Sequence, residues 1–342
     1  MTTAYITDPR FAAHTLAGHS EYAGRLTAIQ EALDRHGVTE RMAHLAATEA
    51  TEAQLRAVHT AEYLQLLAWT ETQKGLMLGP DTYVLPQSFG VARLASGAAI
   101  RGVDAVLNKE ADNALVCARP PGHHATPQMG MGFCLLGNVA IAARHAQNAH
   151  GLKRILIVDY DVHHGNGTQD AFYADPSVLF VSTHQYPWYP GTGAVDEIGT
   201  GEGVGATVNI PLQAGVGDDG YALIYEQVVW AVARRFQPEL ILVSAGFDAH
   251  WADPLGQINL SLKGYDYLTR QLILMAEALC DGRIVFVLEG GYNLNSLSHG
   301  VLNVAYALLG DSHLADPLGP AKGKEPTVGP LIAQIKQLHN LA

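Results

Sequence analysis

Basic residues are scarce in this chain: 21 Lys and Arg stand against 33 Asp and Glu, for a net charge of −12. Nucleic-acid binding rests on basic contacts to phosphate, so the composition argues against that class of partner. Long apolar runs are also missing. None approaches the ~20 residues that a membrane span requires, and Met1 to Asp8 lack the basic-then-apolar pattern of a secretory signal. Cysteine is rare and scattered: Cys117, Cys134 and Cys280 form neither a disulfide framework nor a CxxC metal motif, and each reads as a small buried hydrophobe. These absences together predict a cytoplasmic protein with no membrane or nucleic-acid partner. The acidic balance serves solubility first and attracts cationic substrates weakly.

Hydrophobic residues make up 48% of the chain, enough for a large core. No shift in composition marks a second unit, so a single domain over 1–342 is expected. Its core covers about 10–310, followed by a Gly/Pro-rich loop and a last short helix over 331–340. Four apolar segments run straight into polar loops: Ala114 to Ala118, Ile155 to Val158, Leu240 to Ser244 and Ile284 to Leu288. Unbroken β-branched runs of this kind read as strands buried on both faces. Segments with apolar residues near a 3.6 period lie between or beside them, at 91–107, 137–149, 219–236 and 265–279. Alternating strands and helices predict an open, doubly wound α/β sheet, mostly parallel, with helices on both faces. Sites in such folds lie beyond the carboxyl ends of the strands, where all four polar loops fall.

The loop after Val158 reads Asp159-Tyr-Asp-Val-His-His-Gly-Asn-Gly-Thr-Gln169. In extended backbone, residues i and i+2 share a side, so Asp161 and His163 face one point. One carboxylate and one imidazole suit a divalent ion such as zinc, and Asp248, at the end of another strand, is the natural third ligand. Three protein ligands leave a place open for water or substrate, as in a catalytic site. Taken alone, an Asp-x-His is more often a helix cap beside a satisfied histidine; the third acid at a strand end reverses that judgement.

His123 and His124 follow a rigid Pro-Pro-Gly turn, and histidine is the natural proton carrier near neutral pH. Asp159 and Asn166 are placed to orient their rings. A second metal pair or a plain buried turn is the competing reading. Tyr292, after Gly290-Gly291, is placed to donate a hydrogen bond to a developing oxyanion, although a lone Tyr there usually packs. Phe133, Trp188 and Tyr189 suggest an aromatic channel for an aliphatic stem, against the plainer reading of ordinary aromatics.

These residues together resemble the zinc-dependent histone deacetylases of the arginase–deacetylase fold, nearest the class II branch and the bacterial histone deacetylase-like amidohydrolases. The resemblance rests on Arg119-Pro-Pro-Gly-His-His-Ala125, Gly132-Phe-Cys134, the 159–169 segment, Pro190-Gly-Thr-Gly193, Ser244-Ala-Gly-Phe-Asp-Ala249, Asp253-Pro-Leu-Gly256 and Leu288-Glu-Gly-Gly-Tyr-Asn-Leu294, in family order across roughly residues 10–310. It implies hydrolysis of N-acetyl-lysine or similar acylated amines. Asp161, His163 and Asp248 match the zinc ligands, with ferrous iron as the other ion a cell would load. His124 matches the general base and then the acid, His123 its electrostatic partner, and Tyr292 the oxyanion donor; Asp159 pairs with His123 and Asn166 with His124. Phe133 and Tyr189 match the walls of an acyl-lysine tunnel, with Gly132, Trp188 and Leu255 beside them. Arg25, in Ala23-Gly-Arg-Leu26, aligns loosely with an early Arg-Leu segment of the family. A structural potassium is expected at Asp159, Asp161, His163 and Ser182, and a second at Phe172, Asp175 and Val178 through backbone carbonyls.

Three other readings compete. A ureohydrolase with two manganese ions needs a bridging carboxylate where this chain has Gly165. An acetylpolyamine deacetylase is associated with an acidic gatekeeper where this chain has Leu255, although another loop can supply the acid. A pseudoenzyme that only recognises acylated lysine requires loss of Tyr292 or the His pair, and both are present. Nothing in the pattern prescribes an oligomeric state.

Overall fold

The computed structural model describes residues 1–342. Its strands are β1 (Thr3–Ile6), β2 (Ala43–His44), β3 (Leu76–Met77), β4 (Tyr83–Val84), β5 (Asn113–Val116), β6 (Ile155–Asp159), β7 (Val178–Gln185), β8 (Thr207–Leu212), β9 (Leu240–Ala245) and β10 (Ile284–Leu288). The α-helices are α1 (Gly24–Arg35), α2 (Glu52–Leu55), α3 (Ala61–Thr70), α4 (Ser88–Leu107), α5 (Asn138–His150), α6 (Asn166–Phe172), α7 (Asp218–Ile224), α8 (Trp230–Phe236), α9 (Leu262–Cys280), α10 (Leu294–Leu308) and α11 (Gly329–Leu338).

Eight strands form one sheet in the order β2-β1-β5-β10-β9-β6-β7-β8. Every neighbouring pair is parallel. The β3–β4 ribbon is antiparallel and stands apart from the sheet. Period-two alternation sends the inner strands' side chains to two cores. Leu156, Val158, Ile241, Val243 and Phe286 pack with α1, α9 and α10. Ile155, Ile157, Leu240, Leu242, Val285 and Val287 pack with α4 and α5. Both faces are apolar, which is why these strands read as unbroken hydrophobic runs.

The strand order assembles the site. The chain places β1 and β5, crosses to β6, β7 and β8, then returns to insert β9 and β10 into the gap. The four strands with the polar loops, β5, β10, β9 and β6, thereby become neighbours. Asp159 lies level with Ser244, and Ala245 with Leu288. The carboxyl ends of all four open on one hollow, the usual ligand position in a doubly wound sheet.

The predicted helices are present with shifted ends. The one expected over 219–236 is α7 and α8 joined through a single π turn, Tyr225–Val229; the buried spacing Tyr221, Tyr225, Val228, Val232 continues through it, so periodicity does not betray it. α9 starts at Leu262, three residues ahead of the expected Tyr265, because the Ser261 side chain caps it by accepting from the Gly264 N–H.

Candidate active site

Asp161 and His163 lie in the loop after β6, and Asp248 in the loop after β9. Their ligand atoms fall within 4.8 Å of one another. His163 Nδ1 is 3.1 Å from Asp161 Oδ1 and 3.3 Å from Asp248 Oδ2. Donor atoms around a tetrahedral ion with bonds of ~2.0–2.1 Å are about 3.3 Å apart, so the spacing already suits a metal. The outer oxygens are tied to the backbone: Asp161 Oδ2 accepts from Gly290 N–H at 2.8 Å, and Asp248 Oδ1 from Val162 N–H at 2.9 Å. Gly290 is needed for this approach, since a Cβ there would stand 2.1 Å from Asp248 Oδ2. Asp248 Oδ2 is buried with no hydrogen-bond donor. Two buried carboxylates that share one imidazole are costly unless a cation joins them. Burial disfavours a charged His163, yet the Asp161 and Asp248 carboxylates outweigh it and raise its pKa to about 10. The residues fit a divalent ion.

The histidine pair comes from the loop after β5. Glu289 Oε2 accepts from the backbone N–H of Gly122 at 2.6 Å and of His123 at 3.2 Å, which anchors the turn. His123 Nδ1 lies 2.9 Å from Asp159 Oδ2, and His124 Nδ1 lies 2.8 Å from Asn166 Oδ1. The two rings are 4.0 Å apart. Burial disfavours charge on both. For His123, Asp161 and Asp159 overcome it and lift the pKa well above the ordinary value. For His124, the neighbouring His123 and His163 add to it and hold the pKa well below. The two neighbouring rings are thus shifted in opposite directions.

Tyr292 is fixed by the loop after β10. Its backbone N–H and that of Asn293 donate to Asp253 Oδ2 at 2.7 and 2.9 Å. Asn293 in turn caps α10. Arg25 spans the loop from α1, donating to the Gly291 carbonyl at 2.7 Å and the Glu289 carbonyl at 2.6 Å. Its guanidinium lies 5.0 Å from the Tyr292 ring centre. Burial keeps the phenol's pKa well above 10, so it remains a donor.

A cavity of about 270 Å³ leads to these groups, with His124, His163 and Tyr292 in its lining. Gly132, Phe133, Trp188, Tyr189 and Leu255 also line it, which brings all five predicted substrate-contacting residues together. The Phe133 and Tyr292 rings meet edge-on at 5.7 Å, as do His124 and Tyr189 at 5.1 Å. The Trp188 indole N–H donates to the Leu255 carbonyl at 3.0 Å, joining two rim loops. A larger hollow of about 610 Å³ around Lys153, Arg154 and Arg235 contains none of these groups.

Of the residues expected to hold potassium, Asp159 and Ser182 are register partners on β6 and β7. Phe172, Asp175 and Val178 share the turn from α6 to β7, where the Phe172 carbonyl accepts from Asp175 N–H at 2.9 Å. The Asp175 carboxylate is engaged by Arg144 at 2.5 Å and by Ser177 at 2.6 Å.

Several contributors escaped the sequence reading. Asp81 lines the cavity, with Oδ1 accepting from Thr82 Oγ1 at 2.8 Å. The buried Glu21 carboxylate pairs with Arg119 at 2.5 and 2.6 Å beneath the histidine turn. Asp253 and Glu289 hold loops through backbone N–H groups. Glu289 carried a signal as an acid directly after a buried strand, and Arg119 and Asp253 stood in motifs of the resemblance; Asp81 and Glu21 carried none.

This geometry agrees with comparisons to known proteins. A histone deacetylase domain model matches residues 19–308. A probable deacetylase of Archaeoglobus fulgidus is 44% identical over 295 residues, covering 85% of this chain and 82% of the relative. A histone deacetylase-like amidohydrolase of Pseudomonas aeruginosa is 40% identical over 278 residues, covering 81% and 73%. Polyamine deacetylase HDAC10 of Homo sapiens is 42% identical, covering 87% of this chain but 46% of the relative. The crystal structure of the HDA15 HD domain superposes with a TM-score of 0.91 at 37% identity, covering 99% and 96%. The class defined here is that of the amide-hydrolysing deacetylases on the arginase–deacetylase fold. Within it, the chain belongs to the histone deacetylase family.

Proposed function

We propose that this protein is a zinc-dependent deacetylase acting on N-acetyl-lysine side chains, organised as one catalytic unit over residues 1–342. The observation that carries the reading is the convergence of Asp161, His163 and Asp248, with ligand atoms within 4.8 Å of one another, at the base of an aromatic-walled cavity. Asp161, His163 and Asp248 would hold the ion, which when bound polarises the amide carbonyl and acidifies water. The protein's own groups do the rest. His124, neutral and oriented by Asn166, accepts the proton of the attacking water at Nε2. The Tyr292 phenol donates to the carbonyl oxygen as it gains charge. His124 then returns the proton to the leaving nitrogen, giving acetate and a free amine. Phe133 and Tyr189 grip the aliphatic stem. Potassium at the Ser182 and Phe172 positions, and a cytoplasmic setting, belong to the same reading; ferrous iron is the other ion these ligands accept.

A second reading, small acetylated amines such as acetylpolyamines, draws on Asp81. This carboxylate stands in the cavity lining on a different loop from Leu255, and relatives from Homo sapiens and Mus musculus are named polyamine deacetylases. One assay tests both. Protein of measured metal content is given an acetyl-lysine peptide, N-acetylputrescine or N8-acetylspermidine. Faster peptide turnover, abolished by a chelator and restored by zinc, is expected. Preference for the polyamines, lost in Asp81→Asn, selects the second reading, and no acetate release from any of them by the zinc-loaded protein overturns both.

A further inference from the structure

A cluster of one carboxylate and two imidazoles lies outside the deacetylase site, where α4 packs on α5. Asp104 projects from the last turn of α4. His145 is on α5, and His150 is the last residue of α5, ahead of Gly151 in the left-handed conformation. Side chains five apart on an ideal helix diverge by about 140°. These two converge nonetheless: His145 Nε2 and His150 Nε2 each lie 2.7 Å from the same oxygen, Asp104 Oδ1. The rings meet edge-on at 5.6 Å. All three ligand atoms fall within 4.8 Å of one another. The side chains are 29%, 12% and 18% exposed in the order Asp104, His145, His150, sheltered yet within reach of a dissolved ion.

No Lys or Arg neutralises Asp104; the adjacent Arg101 is committed to Glu110, at 3.2 and 2.5 Å. Two imidazoles and one carboxylate are the donor set of zinc, nickel and copper sites. The present spacing is that of hydrogen bonds, so the ligand atoms must part by roughly 0.5 Å to admit an ion. His150, at a helix end, has that freedom. The Gln54 amide lies 3.3 Å from His145 Nδ1. Turned over, it would accept Nδ1–H and orient the ring, giving up its contact with Thr51.

We propose that Asp104, His145 and His150 form a second, peripheral site for a divalent transition-metal ion, which clamps α5 to α4 and takes no part in amide hydrolysis.

Equilibrium dialysis of the full chain against Zn²⁺ tests this. The wild type should take up two equivalents, and the His145→Gln/His150→Gln variant one, with unchanged deacetylase turnover. Asp104→Asn, which preserves the local shape, should also drop to one and serves where the double variant does not fold. Cu²⁺ added to zinc-loaded wild type should show coupling to two nitrogens by electron paramagnetic resonance, absent from the variants. Zinc uptake in Asp104→Asn and in the double variant equal to that of the wild type overturns the proposal, whatever the occupancy of the deacetylase site.

Discussion

Asn166 presents a neutral amide oxygen to His124 at 2.8 Å, where the adjacent His123 meets the Asp159 carboxylate at 2.9 Å. This difference in charge adds to the effects of Asp161 on His123 and of His123 and His163 on His124. A carboxylate favours the imidazolium, whereas an amide orients the ring without charging it. Replacing Asn166 with Asp should therefore raise the pKa of His124 and move the acid limb of the kcat/KM profile to higher pH, by roughly one to three units. An unmoved limb removes His124 from the role of base.

Tyr292→Phe deletes one hydroxyl and leaves the Asp253 and Arg25 contacts to the loop, which are made by the backbone. Metal uptake should persist while the rate falls by roughly 10²–10³. Unchanged turnover in a fully metal-loaded variant refutes the assigned role.

How far the sequence disclosed this arrangement depends on the range over which each residue acts. Asp161 and His163 were legible because period two places them side by side after a buried run. Asp248 was legible because a second such run ends beside it. The neighbourhood of β5, β10, β9 and β6 was not, since it arises from strand insertion after β8, which no local pattern encodes. Asp253, Arg119 and Glu21 work on backbone groups or on one another across long stretches of chain. Glu21 looks in sequence like an ordinary charged residue, while Arg119 and Asp253 open motifs of the resemblance that do not disclose what they hold. Asp81 sits in a Gly-Pro-Asp-Thr turn, the commonest setting for an Asp.

Gly132 has φ +54°, and a Cβ there would stand 2.4 Å from the His124 ring and 3.0 Å from Tyr189. Gly132→Ala should thus displace the base and narrow the channel together. At least a tenfold loss in kcat/KM is expected, about 1.4 kcal/mol in the barrier, with the circular dichroism spectrum preserved. Wild-type kinetics in this variant show that the loop yields and that the packing does not position His124.

Asp248→Asn removes one of two buried carboxylates that repel each other in the absence of an ion. Burial, and then Asp161, push the Asp248 carboxyl above its ordinary pKa. The variant should lose metal and activity, yet be at least as stable as the chelated wild type. With His145 and His150 replaced in both proteins, zinc should raise the melting temperature of the one that keeps Asp248 and not that of Asp248→Asn. A variant that still gains stability from zinc, measured with His145 and His150 also replaced, shows that Asp248 is not a ligand.

His59 supports the histidine turn from below. Its Nδ1 lies 3.1 Å from the Thr126 carbonyl and its Nε2 accepts from Gly137 N–H at 2.9 Å. Only the neutral ring can do both, and burial depresses its pKa to about 4. An unfolded histidine titrates near 6.5. Between those values the unfolded chain binds the proton and the folded one does not, so this contribution to stability is intact above pH 6.5 and declines as pH falls toward 4. Glu289 and Asp253, pushed up to about 7 by burial, act in the opposite sense over much of this range, so the wild type alone does not isolate His59. Comparison with His59→Gln does. The variant should be the less stable at pH 7, and urea unfolding should show the gap closing by about 1 kcal/mol per pH unit below pH 6.5. A gap independent of pH means that His59 accepts its proton in the folded state and that the Gly137 contact does not hold it neutral.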